Sequence, residues 1–258
     1  MNDSSLLNSI VNISKDAGKI ILEIYNNPKI SQNVSFKEDN SPLTLADKAS
    51  HNTIYEKLKI LTPNIPILSE EGTDIDYNDR KEWEQFWLID PLDGTKEFIK
   101  RNGEFTVNIA LIHENQPILG VVYAPVIDIL WYGDSDVGSY KIEKEQTKKI
   151  KVRSNIISNT EVVKVVSSRS HANNPKLESY LNQFSNYELV KMGSSIKICL
   201  VADGTAHYYP RFGPTMEWDT AAAHAVVKYA GGEIFKMGSD FALSYNKKNL
   251  LNPEFLVN

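Results

Sequence analysis

Asp90 and Asp93 stand three residues apart in Trp87-Leu88-Ile89-Asp90-Pro91-Leu92-Asp93-Gly94-Thr95, where an apolar run stops at two carboxylates. The run has the make-up of a buried strand, and carboxylates at its end need water, donors or cations to satisfy them. Gly94 and Thr95 then lead into a helix-like stretch, 96–100. The backbone N–H groups of such a strand-to-helix turn converge on one point, which suits a phosphate. Carboxylates for a hard cation beside N–H groups for a phosphate point to metal-assisted phosphate chemistry. Taken alone, the segment reads equally well as a solvated Asp-Pro turn.

Three further acidic positions bear on the choice. Ser69-Glu70-Glu71 follows Ile65-Pro66-Ile67-Leu68, a second apolar run that stops at carboxylates. Asp47 lies at the start of a helical pattern, and Asp219 opens an alanine-rich one in Glu217-Trp218-Asp219-Thr220-Ala221-Ala222-Ala223. Each acid lies at an element end, where active sites are usually assembled. An Asp at a helix start is also an ordinary cap, so Asp47 or Asp219 alone indicates no site. Only the set does.

These motifs, taken in order, resemble the signature of the lithium-sensitive, magnesium-dependent phosphatases of the inositol monophosphatase superfamily. That signature is a Glu-Glu pair, then Asp-Pro-(Ile/Leu)-Asp-Gly-Thr, then Trp-Asp with small residues. Glu70-Glu71, Asp90 to Thr95 and Trp218-Asp219 match it at similar separations. Within the superfamily the chain is most similar to the 3'(2'),5'-bisphosphate nucleotidases of the CysQ type. The run from Asp90 to Ile112, Ser168-Arg169-Ser170-His171, Gly193-Ser194-Ser195-Ile196-Lys197 and Tyr209-Pro210-Arg211-Phe212-Gly213-Pro214-Thr215 carry that likeness, which extends over nearly the whole chain.

The resemblance implies a division of labour. Glu70, Asp90 and the backbone carbonyl of Leu92 resemble ligands of one magnesium ion. Asp90, Asp93 and Asp219 resemble ligands of a second, with Asp90 bridging, and several members take a third, weaker ion near Glu70. Two such ions about 3.5–4 Å apart need a shared carboxylate. Thr95 with Asp47 resembles the pair that activates a water nucleophile. The backbone N–H groups of Gly94 and Thr95 resemble the cradle of the scissile phosphate. Ser194, Lys197 and Arg211 fall where the group contacts a second phosphate and the ribose, and His171 is a candidate substrate contact. The activity implied is removal of the 3'-phosphate of 3'-phosphoadenosine 5'-phosphate, and of its sulfated form, in sulfur metabolism. Two alternatives are an inositol or sugar monophosphatase with the same metal site, and a non-catalytic nucleotide sensor. The Lys96-to-Ile112 run argues against the first, and the complete acid set against the second.

Composition agrees with a soluble globular enzyme. The chain has 258 residues, 41% hydrophobic and 24% charged, with a net charge of −5. No basic footprint suggests nucleic acid. The single Cys199, among Ile198, Leu200 and Val201, suggests a buried thiol in a reducing compartment. No secretion signal opens the sequence, and no apolar run reaches the roughly 20 residues of a membrane span. A cytoplasmic protein is expected, free or peripheral at the inner membrane, as a monomer or homodimer.

The elements that must position these residues follow from periodicity. Apolar spacing predicts helices over 5–26 and 44–61, the second capped by Thr44, with an extended arm or hairpin over 29–43. Strands are predicted over 86–90, 105–113 and 117–123, with Asn115-Gln116 as a turn, and apolar residues recur near 127–131 before Gly133 to Gly138 turns the chain. The basic stretch 141–153 reads as a solvated hairpin face and as a seam between an N-terminal α+β half, 1–150, with most metal ligands, and a C-terminal α/β half, 151–258, with Asp219 and substrate contacts. Beyond it come strands over 162–166, 188–192, 206–209, 233–236 and 254–257 and helices over 174–184, 194–203 and 218–230. The Asp-rich 74–79 segment reads as a surface loop. Interleaved helices and strands indicate an α/β or α+β layered fold. The family resemblance implies a five-layer αβαβα sandwich.

Overall fold

The computed structural model describes residues 3–27, 42–153, 162–169 and 174–258. Helix α1 (Asp3–Tyr25) and helix α2 (Pro42–Leu61) form the first layer. Ile10, Ala17, Ile21, Ile54 and Leu58 are wholly buried, as one apolar stripe per helix requires. The helix predicted to begin at Thr44 begins at Pro42, and Thr44 lies inside its first turn rather than at its cap. Proline's fixed φ and missing N–H suit the first helical position. Most of the arm predicted over 29–43 falls outside the described residues.

The second layer is a seven-stranded sheet in chain order. Strand β1 (Ile67–Ser69) runs parallel to β2 (Gln85–Asp93), and an antiparallel meander continues through β3 (Thr106–His113), β4 (Gln116–Ala124), β5 (Ile129–Asp134), β6 (Gly138–Glu143) and β7 (Gln146–Lys149). The short helices α3 (Tyr77–Arg80) and α4 (Thr95–Ile99) flank β2. Asp76 caps α3 by accepting the Asn78 N–H at 2.8 Å, so the Asp-rich segment is structural. Both faces of β2 are covered, which explains its unbroken apolar run. Trp87 and Ile89 join the core under α1 and α2, while Phe86 and Leu88 join the core on the other side.

That other core is built with α6 (Ile196–Ala202) and α7 (Glu217–Tyr229). A Cβ at Gly120 of β4 would stand 2.2 Å from the Ala222 carbonyl oxygen, so α7 rests directly on the sheet. Beyond lie β8 (Val163–Ser167) paired with β9 (Tyr187–Lys191), and β10 (Tyr209–Arg211), β12 (Phe255–Val257) and β11 (Ile234–Lys236) paired in that order. A bridge between Val165 and Tyr208 joins the two small sheets. Helix α5 (Pro175–Leu181) covers the outside through Leu177 and Leu181 against Val163 and Val165. The result is the five-layer αβαβα order. The central core draws residues from both 1–150 and 151–258.

Several predicted boundaries move, three of them for reasons the backbone shows. The β3–β4 turn is Glu114-Asn115, both left-handed at φ 48° and 62°, as a two-residue hairpin turn requires. The apolar recurrence near 127–131 becomes a strand only from Ile129, because Val126 and Ile127 are exposed at a corner where Asp128 has φ 51°, and that strand runs on to Asp134 through the start of the turn predicted over 133–138. The strand predicted over 206–209 starts at Tyr209, with Tyr208 contributing only the bridge. The basic stretch forms the β6–β7 hairpin, and β7 is exposed throughout as a lysine-bearing edge.

Candidate active site

The site forms where β1 and β2 end and α7 begins. The β2–β3 register slips between Asp90 and Asp93, so three steps along β2 oppose two along β3. A bulge of this kind re-aims side chains at a strand end. Asp90 is 1% exposed. Its Oδ1 accepts the Leu92 N–H at 3.0 Å, and its Oδ2 has no hydrogen-bond donor among the described residues. Ser50 of α2 donates to the Pro91 carbonyl at 2.8 Å and fixes the bend from outside. Gly94, at φ 102°, makes the left-handed step into α4, which Thr95 opens at the exposed rim.

Glu70 follows β1, with its N–H on the Ile89 carbonyl at 3.2 Å. Asp219 lies in the first turn of α7, where its Oδ2 accepts the Met216 N–H at 2.8 Å. It therefore caps the helix and faces the site at once. Carboxylate oxygens of Glu70, Asp90 and Asp219 lie within 4.8 Å of one another. Asp93 is held by Ser195, whose N–H and hydroxyl reach its Oδ2 at 2.7 and 2.8 Å. The same hydroxyl lies 2.8 Å from the Asp219 carbonyl and accepts from Asn108 Nδ2 at 2.8 Å. One serine thus ties Asp93 to the start of α7.

Burial dominates the electrostatics, and the crowding of like charges adds to it. Burial, with the charges of Glu71 and Glu70, pushes Asp47 up to about 8. Burial, with Asp93 behind it, does the same to Asp219. Burial raises Glu70 to about 7, and it raises Asp90 well above the usual carboxylate range with Glu70, Asp93, Asp219 and Asp47 adding to it. A buried acceptor without a donor amid carboxylates that resist ionisation is what a cation would relieve. All-oxygen donors suit a hard divalent ion.

A cleft opens from this cluster along Asp93 and Gly94 toward Ser194, Lys197 and Arg211. Lys197 is buried, and its Nζ donates to the Ser194 carbonyl at 2.5 Å. Burial lowers it to about 8 against the pull of Asp93. Arg211 donates to the Pro214 carbonyl at 3.1 Å, while its buried Nε has no partner among the described residues. The cleft therefore brings two carboxylates of the cluster, Asp93 and Asp219, together with two basic side chains, Lys197 and Arg211. His171 lies outside the described residues. Ser195, Asn108 and His51, whose Nδ1 lies 2.8 Å from Ser69 Oγ beside Glu70, escaped the sequence reading. Their roles depend on partners 18 to 102 residues away.

The model of the inositol monophosphatase family matches residues 2–256. The chain belongs to the inositol monophosphatase family. The 3'(2'),5'-bisphosphate nucleotidase CysQ of Escherichia coli is 46% identical over 253 residues, covering 98% of this chain and 99% of the relative. The CysQ nucleotidase of Haemophilus influenzae is 37% identical over 254 residues, covering 98% and 92%. The crystal structure of CysQ from Bacteroides thetaiotaomicron matches with a TM-score of 0.87 at 43% identity, covering 99% of this chain and 97% of that one. An inositol monophosphatase from Zymomonas mobilis shares the fold, with a TM-score of 0.79 at 21% identity. No described helix of this family member is long and apolar enough to cross a membrane.

Proposed function

We propose that this chain is a magnesium-dependent 3'(2'),5'-bisphosphate nucleotidase. It removes the 3'-phosphate of 3'-phosphoadenosine 5'-phosphate to give AMP and phosphate, and it accepts the 5'-phosphosulfate analogue. The observation that carries this reading is one cleft lined both by carboxylates of the acidic cluster, Asp93 and Asp219, and by the basic side chains of Lys197 and Arg211. Such a cleft fits a substrate with two anionic groups, one beside cations and one beside fixed basic side chains. The similarity to CysQ nucleotidases supports the same substrate class.

Glu70, Asp90, Asp93, Asp219 and the Leu92 carbonyl would hold two magnesium ions, with room for a third beside Glu70. When bound, the ions supply charge to acidify a water and to stabilise the leaving oxygen of an in-line phosphoryl transfer. Asp47 accepts the proton of the Thr95 hydroxyl, which leaves the Thr95 oxygen free to accept from the attacking water. The Gly94 and Thr95 N–H groups orient the scissile phosphate. Ser194, Lys197 and Arg211 bind the phosphate that does not react, and Arg offers it a fork where Lys offers a point charge. His171 is assigned to the substrate contacts on the strength of the motif 168–171 alone. Segment 1–150 thus supplies most of the chemistry, and 151–258 supplies Asp219 and substrate recognition.

A phosphate-release assay over a small panel tests the reading. It compares 3'-phosphoadenosine 5'-phosphate, inositol 1-phosphate and fructose 1,6-bisphosphate, with and without magnesium. Strong magnesium-dependent preference for the nucleotide is expected, and preference for inositol 1-phosphate overturns it.

A further inference from the structure

Glu104 stands apart from the residues with roles above, in the loop between α4 and β3. Its carboxylate joins three segments of chain. Oε2 accepts the Gly193 N–H at 2.8 Å and Arg169 Nε at 2.8 Å, while Oε1 accepts the Arg169 terminal nitrogen. The Glu104 side chain is 14% exposed and the Arg169 side chain 44%. The enclosed partner is therefore the acid, and the arginine holds it from the solvent side.

The turn it grips, 193–195, is strained and closely fitted. A Cβ at Gly193 would stand 2.5 Å from Glu97 Cγ and 2.8 Å from the Glu104 carbonyl oxygen, so only glycine sits there without displacement. Ser194 has φ 46°, a left-handed conformation that non-glycine residues seldom adopt and keep only when neighbours enforce it. Downstream, Ser195 is anchored on Asp93, and Lys197 Nζ bonds the Ser194 carbonyl. Upstream, the anchor is Glu104.

We propose that Glu104 is a positioning residue: by fixing the Gly193 N–H it holds the left-handed turn that aims Ser194 and Lys197 into the cleft and Ser195 at Asp93. Glu104 touches neither substrate nor cation in this scheme. The inference rests on the nucleotidase reading for its kinetic arm and not for its metal-binding arm.

The test uses the full chain as wild type, E104A, E104Q, E104D and R169M. Thermal unfolding, calorimetric titration with magnesium, and kcat and KM for 3'-phosphoadenosine 5'-phosphate are measured on each. E104A should raise KM by about ten- to a hundredfold, the scale of one lost hydrogen bond to a charged group, and weaken magnesium binding. E104Q, whose amide oxygen still accepts the Gly193 N–H, should recover most of that loss. R169M keeps the Gly193 bond and should change KM by less than about threefold, the scale of a part-exposed ion pair. E104D keeps the charge but falls short of Gly193, and it should raise KM even where E104A fails to fold. Equal losses of melting temperature in E104A and R169M with unchanged KM and magnesium affinity would mark a merely structural ion pair and overturn the proposal. If wild type hydrolyses none of the nucleotides, the nucleotidase reading fails. The magnesium titration then still decides, and wild-type affinity in E104A and E104D refutes the inference.

Discussion

Replacing Asp90 with asparagine separates the cost of the site from its use. Asp90 is buried, and its carboxylate lies with those of Glu70 and Asp219 inside 4.8 Å. Two ionised groups that close, 4.8 Å apart, repel by about 3 kcal/mol at an effective dielectric constant of about 20. Glu70 keeps part of its surface in solvent, which reduces its share. Whether that cost appears as repulsion or as a proton taken up by Asp90, asparagine avoids it, so the substitution should relieve the metal-free protein by about 1–3 kcal/mol. The asparagine side chain would keep an oxygen for the Leu92 N–H, and its amide would stand where Oδ2 now has no donor among the described residues. The fold should hold, with a metal-free melting temperature about 5 °C higher at pH 8, at roughly 2–4 °C per kcal/mol.

Turnover should move the other way. A lost shared ligand costs several kcal/mol of transition-state stabilisation, or about 10³-fold in rate. Saturating magnesium should stabilise wild type by about 2.7 kcal/mol at a hundred times its Kd and the variant by far less. Scanning calorimetry with and without magnesium, paired with phosphate release, reads all three effects. Near-normal magnesium-dependent turnover in folded Asp90→Asn, or a lower metal-free melting temperature, would refute the reasoning.

The remaining predictions concern protons and specificity. Thr95→Ala and Asp47→Asn should lower kcat by about 10²-fold with smaller changes in KM; a raised KM at constant kcat would make them binding residues instead. Lys197→Ala should lower kcat/KM for 3'-phosphoadenosine 5'-phosphate about ten- to a hundredfold and leave adenosine 3'-monophosphate nearly unaffected; equal losses on both would place the second-phosphate site elsewhere. Asp47 and Asp219 at about 8 and Glu70 at about 7 hold protons in the folded chain that the unfolded chain releases near pH 4. Stability from those protons is complete below that range and lost as pH rises toward 8, so the metal-free protein should melt lower at pH 8 than at pH 5.5, and magnesium should close the gap. A metal-free melting temperature that rises over this interval would contradict the assignment.

Much of this was legible in the residues, for identifiable reasons. Asp90 and Asp93 are conspicuous because they interrupt an apolar run, and a strand buried on both faces tolerates such an interruption only at its end. The β6–β7 hairpin was legible because lysines and acids alternate without aromatics between them. Asp219 carried a cap signature and a ligand signature that sequence could not separate, and the structure shows one carboxylate capping α7 while facing Asp90 and Glu70. Ser195 was hidden because its significance lies in Asp93, 102 residues away. Glu104 was hidden likewise, as its partners Arg169 and Gly193 come from other strands' ends. Boundaries slipped where left-handed residues decide them: Glu114, Asn115 and Asp128 turn the chain with no glycine to mark the turn.

The position of the phosphate removed tests the central claim most directly. 3'-Phosphoadenosine 5'-phosphate is incubated with the full chain and magnesium, and the nucleoside products are separated by chromatography against standards. The cleft, with the reacting phosphate at the carboxylates and the other on Lys197 and Arg211, predicts adenosine 5'-monophosphate and inorganic phosphate alone. Adenosine 3'-monophosphate as the product would mean that the two ends had been assigned in reverse, and no product with either metal state would contradict the account outright.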